Sequence, residues 1–113
     1  MKLGQKQRLF SKLTIQLYQY IIDQGYEFTY GDAYRDPRAF GIVGEIKNYG
    51  RSKSNHKIRL AIDINLFKDG KYLTSTIDHT PIGKYWESLH EYCTWGGNWS
   101  DGNHYSFVNN GRR

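Results

Sequence analysis

Four residues of this chain have types and spacings that together suit hydrolytic chemistry: His56 lies seven positions before Asp63, and Asp101 lies three before His104. A catalytic zinc takes about three protein ligands from histidine, cysteine and carboxylate, and keeps a further position for water. His56, Asp63 and His104 supply that set. Seven extended residues span roughly 23 Å, far more than the separation between ligands of one ion, so the chain has to bend between His56 and Asp63. Ser54-Asn55 and the stretch before them permit the bend, with His56 at a loop edge and Asp63 in a strand. An ion so held polarises a carbonyl and activates water, while a separate base takes the water's proton and hands it to a leaving amine. Asp101 is the candidate base. Arg35, an always-charged fork of donors, is the candidate to bind a substrate carboxylate or steady an oxyanion.

Each of these residues has a blander reading when taken singly. A histidine in a short basic chain is more often a surface or packing residue than a ligand. Asp63 alone is a carboxylate on a half-exposed strand, and Asp101 beside Gly102 is a turn residue. It is the combination that carries weight. His79 and His90 read as surface residues, and Trp86, Trp95 and Trp99 as core and pocket wall rather than a platform for sugars. The glycine-rich run from Gly96 to Gly102 is a turn-rich connector, because neither a lysine nor a helix start follows to make a phosphate cradle.

These residues need elements to position them. From Gly4 to Gln24, Phe10, Leu13, Leu17 and Ile21 recur at helical steps, with Leu9, Tyr18 and Ile22 widening the stripe and Gly25 placed to end it. Residues 26–34 alternate and are rich in aromatic and β-branched types, which predicts a first strand closed by a turn at Asp36-Pro37. Residues 38–55 lack periodicity and predict a long surface loop. Arg59 to Phe67 is the clearest strand, with Ile62, Ile64 and Leu66 on one face and Ala61, Asp63 and Asn65 on the other. Lys68-Asp69-Gly70 turns it into a short return strand, Lys71 to Thr74. Pro81 opens a short helix running to about His90, and the tail from Thr94 reads as loop and then strand. The metal then lies on the open face of a sheet, opposite Ile62 and Ile64.

The bulk properties bound the partners. At 113 residues the chain is expected to form one domain, 1–113, with a core that leans on aromatic residues, 16% of the sequence. A single cysteine, Cys93, excludes an internal disulfide. Met1 to Arg8 is polar and basic and no apolar run follows, so no signal peptide or membrane insertion is expected. The net charge of +5 suits a polyanionic partner such as nucleic acid, an anionic membrane surface or bacterial wall.

Ser54-x-His56-x6-Asp63 followed by Asp101-x-x-His104 resembles the D-alanyl-D-alanine carboxypeptidase and L-alanyl-D-glutamate endopeptidase group of zinc peptidoglycan peptidases, including phage endolysins. Ala33-Tyr34-Arg35, the run from Leu60 to Phe67, Trp86-Glu87-Ser88-Leu89 and Thr94-Trp95-Gly96-Gly97 add to the resemblance in the right order. It implies an α+β fold with a small central antiparallel sheet, an N-terminal helix and a short second helix. It also implies Zn2+ on His56, Asp63 and His104, Asp101 as the catalytic acid/base, and Ser54 with Arg35 in substrate binding. The implied partner is bacterial peptidoglycan, met by a monomer made in the host cytoplasm and reaching the wall after membrane permeabilisation. Aspartate rather than glutamate at position 101 tilts the expected cut toward the L-Ala-D-Glu bond, with a D-Ala-D-Ala carboxypeptidase as the alternative. Arg59 departs from the group, whose members commonly carry glycine between the first histidine and the aspartate.

Three competing readings have sequence-level discriminators. A cysteine peptidase built on Cys93 and His104 lacks a helix start after the thiol and a third, orienting residue. A non-catalytic zinc-containing wall-binding module does not require Asp101. A nucleic-acid binder is not expected, because the lysines and arginines are scattered in sequence without a recognition-helix or RNA-binding signature.

Overall fold

The computed structural model describes all 113 residues. In chain order the elements are α1 (Leu3–Asp23), β1 (Glu27–Tyr30), α2 (Pro37–Phe40), β2 (Ala61–Lys68), β3 (Lys71–Leu73), α3 (Thr80–Leu89), β4 (Cys93–Trp95) and β5 (His104–Phe107). Single 3₁₀ turns cover Asn55–Ile58, Ile77–His79 and Gly96–Trp99. The fold is α+β, as the sequence predicts, with β2 at the centre of an antiparallel sheet. One edge of β2 pairs with β1 from Glu27↔Phe67 to Tyr30↔Ile64. Its other edge pairs first with β5 and then, beyond it, with β3, while β4 lies outside β5. No helix is long and apolar enough to cross a membrane.

The core lies between one sheet face and the two longer helices. α1 buries Phe10, Leu13, Leu17 and Ile21, the three- and four-residue repeat read from the sequence. Ile22, expected to widen that stripe, is instead exposed, and Gly25 ends the helix at φ +85°. From the sheet, Ile62, Ile64 and Leu66 of β2 and Tyr105 and Phe107 of β5 meet Ile82 and Trp86 of α3. The period of two then sends Asp63 of β2 and His104 of β5 to the opposite face.

Three local expectations are corrected. β1 ends at Tyr30 rather than Tyr34, because beyond it the pairing continues irregularly: Gly31 N–H donates to the Asp63 carbonyl at 2.9 Å, and Asp63 N–H donates to the Asp32 carbonyl at 2.7 Å. Asp36-Pro37 starts a helix rather than a simple turn, since the Asp36 carboxylate accepts from Arg38 N–H at 2.8 Å and caps α2 with proline in the first turn. His79 is buried, not a surface residue. It lies at the end of a 3₁₀ turn that aims its ring at the Tyr105 hydroxyl, 2.8 Å away, while Ile77 in the same turn is left exposed.

Candidate metal centre

The register of β2 and β5 sets Asp63 directly across from His104, which brings residues 41 positions apart in sequence to the same point on one sheet face. Asp63 Oδ1 lies 3.5 Å from His104 Nδ1 and 3.3 Å from His56 Nε2. His56 arrives from the Asn55–Ile58 turn, not from a loop edge. Ser54 caps that turn by accepting from His56 N–H at 3.2 Å, and Arg59 leaves it in the left-handed region at φ 59°. This is the bend that the spacing required. It also explains the glycine implied by the resemblance at position 59, because a side chain in that region is strained by roughly 1–2 kcal/mol. Arg59 offsets the strain by stacking its guanidinium over the Tyr34 ring at 3.8 Å.

One ligand atom from each of His56, Asp63 and His104 lies within 4.8 Å of the others. The donor set passes a chemical test for a cation. His56 Nδ1 lies 2.8 Å from the Ala33 carbonyl, an acceptor, so Nδ1 carries the proton and Nε2 presents a lone pair. That Nε2 is buried without a hydrogen-bond partner, and it faces a carboxylate oxygen. Two lone pairs so placed repel unless a proton or a metal ion sits between them. Burial pushes the Asp63 carboxyl up, but the neighbouring His104 and His56 outweigh it and hold the group down at about 2. Asp63 is therefore an anion at any physiological pH, as a borderline Lewis acid such as zinc requires of a carboxylate ligand.

Asp101 stands at the rim. Its carboxylate is half exposed and lies 3.9 Å from His104 Nδ1. Its position is set by backbone: Asp101 N–H donates to the Gly96 carbonyl at 2.9 Å and His104 N–H to the Asp101 carbonyl at 3.1 Å. Gly96 is required at that crossing, since a Cβ there would fall 2.1 Å from the Asp101 carbonyl oxygen and 2.7 Å from His104 Cβ.

Arg35 lies past the end of β1, in the link to α2, rather than at the strand's end. Its Nε donates to Asp32 at 3.1 Å, its Nη1 to Ser54 Oγ at 3.2 Å, and its Nη2 approaches Asp63 Oδ2 at 3.8 Å. Ser54 thus joins the His56 turn to the Arg35 side chain. Three supporting residues have no sequence signal of their own. Tyr49 hydroxyl donates to Asp32 at 2.6 Å and its ring lies under the Arg35 guanidinium. Asn55 is fully buried and its Nδ2 donates to the Phe107 and Arg112 carbonyls. The Lys57 ammonium donates to the carbonyls of Ile42, Glu45 and Ser52, tying the 42–52 loop down beside the centre.

A cavity of about 460 Å³ opens over His56, His104 and Asp101. Trp99 forms a wall, edge-on to His104 with ring centroids 5.6 Å apart, while Trp86 and Trp95 belong to the core. Folding gathers basic residues that are scattered in sequence: Arg35, Arg51, Lys53, Arg112 and Arg113 all line this cavity. Cys93 has no part in it. It pairs with Phe107 on the core face of the sheet, whereas His104 projects from the other face, and burial pushes the thiol up to about 12. A neutral thiol behind the sheet is no nucleophile.

No curated protein matches the chain. A family model described as D-alanyl-D-alanine carboxypeptidase matches residues 47–107. The matched span includes His56, Asp63, Asp101 and His104 and stops at the end of β5. Covering more than half of the sequence and all three members of the candidate metal group, it shows that the chain belongs to the D-alanyl-D-alanine carboxypeptidase family of zinc-dependent peptidases.

Proposed function

We propose that the chain is a zinc peptidase of bacterial peptidoglycan that cuts within the stem peptide, in the manner of a phage endolysin, with the L-Ala-D-Glu bond as its target. The observation that carries this reading is the convergence of His56, Asp63 and His104 beneath an open cleft, with the Asp101 carboxylate beside them. A zinc ion bound there supplies Lewis-acid polarisation of the scissile carbonyl and lowers the pKa of the attacking water. The remaining work falls to this chain's own residues. Asp101, whose carboxylate is half exposed beside His104, takes the proton from the water and returns it to the leaving amine. Arg35, held by Asp32 and Ser54, turns a charged fork toward the centre and supports the developing oxyanion or a substrate carboxylate. Ala33 keeps the His56 ring in the tautomer that a ligand needs.

One feature favours cutting inside a peptide: Asp101 is the acid/base residue that the resemblance associates with endopeptidases. A carboxypeptidase acting on the terminal D-Ala-D-Ala is the second reading, favoured by the description of the family that matches. Digestion of purified peptidoglycan separates them: the endopeptidase leaves new amino-terminal glutamate, the carboxypeptidase releases free D-alanine. If neither product forms from several wall types while zinc is bound, a non-catalytic wall-binding role replaces both. For delivery, the enzyme acts from the cytoplasmic side once the membrane is opened. Lysis of whole cells by added protein then requires prior permeabilisation, and equal lysis of intact cells contradicts that route.

A further inference from the structure

We infer that the cleft selects peptides bearing free carboxylates, and that Arg51, Lys53, Arg112 and Arg113 form the rim that reads them. This rests on the peptidase reading of the same site and adds a substrate class to it. The cavity is lined by five lysine and arginine side chains against one acid, Asp101. Arg35 is already engaged by Asp32, Ser54 and Asp63. The other four make no ion pair within the molecule, since the acidic partners in its ion pairs are taken by Arg35, Arg38, His56 and His104. Four unpaired cations around one cavity repel one another, and an anionic ligand relieves that repulsion.

The backbone that carries these cations is held by two independent anchors. Arg51 and Lys53 ride on and beside the loop that the Lys57 ammonium clamps through three carbonyls. Arg112 is fixed by the buried Asn55, whose Nδ2 donates to its carbonyl at 2.9 Å, and Arg113 lies over the Trp99 ring at 4.1 Å. Asn55 and Trp99 each adjoin or touch a member of the metal group, so the rim is built off the centre itself. Guanidinium forks match a carboxylate in shape and charge, whereas an amide of the same shape turns an NH2 donor toward other donors.

The test uses the zinc-loaded full chain and two synthetic stem peptides that differ in one respect, whether their side carboxylates are free or amidated. The wild type cleaves the free acid with kcat/KM at least about tenfold higher, and Arg51→Gln with Arg113→Gln, both exposed positions, removes most of that preference through KM. Equal cleavage of the two peptides overturns the rim and leaves the peptidase standing. Cleavage of neither overturns the peptidase, and binding of the same peptides then decides the rim. Tighter binding of the free acid, lost in the double variant, upholds it, and equal binding overturns it.

Discussion

Asp101 and His104 illustrate how two side chains three residues apart divide a task. His104 is buried and aims Nδ1 at Asp63, while Asp101 keeps half of its carboxylate in solvent, free to exchange a proton. Asp101→Asn is expected to lower turnover by about 10²–10⁴-fold while zinc affinity stays within a few-fold, because the residue lies outside the group of converging ligands. A fall in turnover of less than about tenfold in kinetic assays moves the base elsewhere. His79 tests the buried polar pair behind the sheet. Burial lowers its pKa from the ordinary value of 6.5, so the folded chain binds fewer protons than the unfolded one just below that value. Its contribution to stability is complete above pH 6.5 and declines as the pH falls below it. Urea unfolding at pH 7.5 and 5.5 is expected to show a shallower loss for His79→Gln than for the wild type, and parallel losses contradict the assignment. At this scale the sequence made the convergence of His56, Asp63 and His104 legible, because histidine and aspartate in that spacing stood out together. It misled on His79, whose polarity suggested the surface. Its partner, the Tyr105 hydroxyl, comes from 26 residues away and makes the burial tolerable.

The elements matter through their register and their crossings. Sliding β5 against β2 by one residue turns His104 into the core and disassembles the centre, so the apolar alternation Ile62, Ile64 and Tyr105, Phe107 fixes the chemistry as well as the packing. Gly96 lies where the backbone leading to Asp101 passes His104. Gly96→Ala is expected to reduce both zinc affinity and turnover by at least about tenfold, since a displacement near 1 Å at a reacting group costs up to 10²-fold. Gly25→Ala is the matched control. Its φ of +85° makes a side chain costly, by about 1 kcal/mol or more, but nothing lies within 4 Å, so cleavage per folded molecule stays unchanged. Similar activity losses in both variants indicate loss of fold rather than of geometry. The long elements α1, β2 and α3 were legible from periodicity within a residue or two. The 38–55 stretch was not, since its order comes from Asp36 capping α2 and Lys57 holding three carbonyls, contacts that leave no repeating pattern. Arg59 shows the converse, a residue whose departure from glycine was visible while its compensation on Tyr34 was not.

For the molecule as a whole, a net charge of +5 says little until folding decides where the charge goes. Five of the sixteen lysines and arginines line one cavity, beside His56 and His104 of the candidate metal group. The α+β class and the sheet's open face followed from the sequence, because the helix and strand periods are clear and the resemblance named the sheet. The gathering of Arg51 and Lys53 with Arg112 and Arg113 did not, since residues about 60 positions apart meet through Asn55 and the sheet, beyond any local pattern. In the proposed function, a metal ion held by His56, Asp63 and His104 is required for peptide-bond cleavage. The direct measurement is release of new amino termini from purified peptidoglycan by the protein as isolated, after chelation, and after zinc is restored. Loss of cleavage on chelation and recovery with one equivalent of zinc, absent in His56→Ala, is the predicted result. Cleavage that survives complete removal of the metal contradicts it.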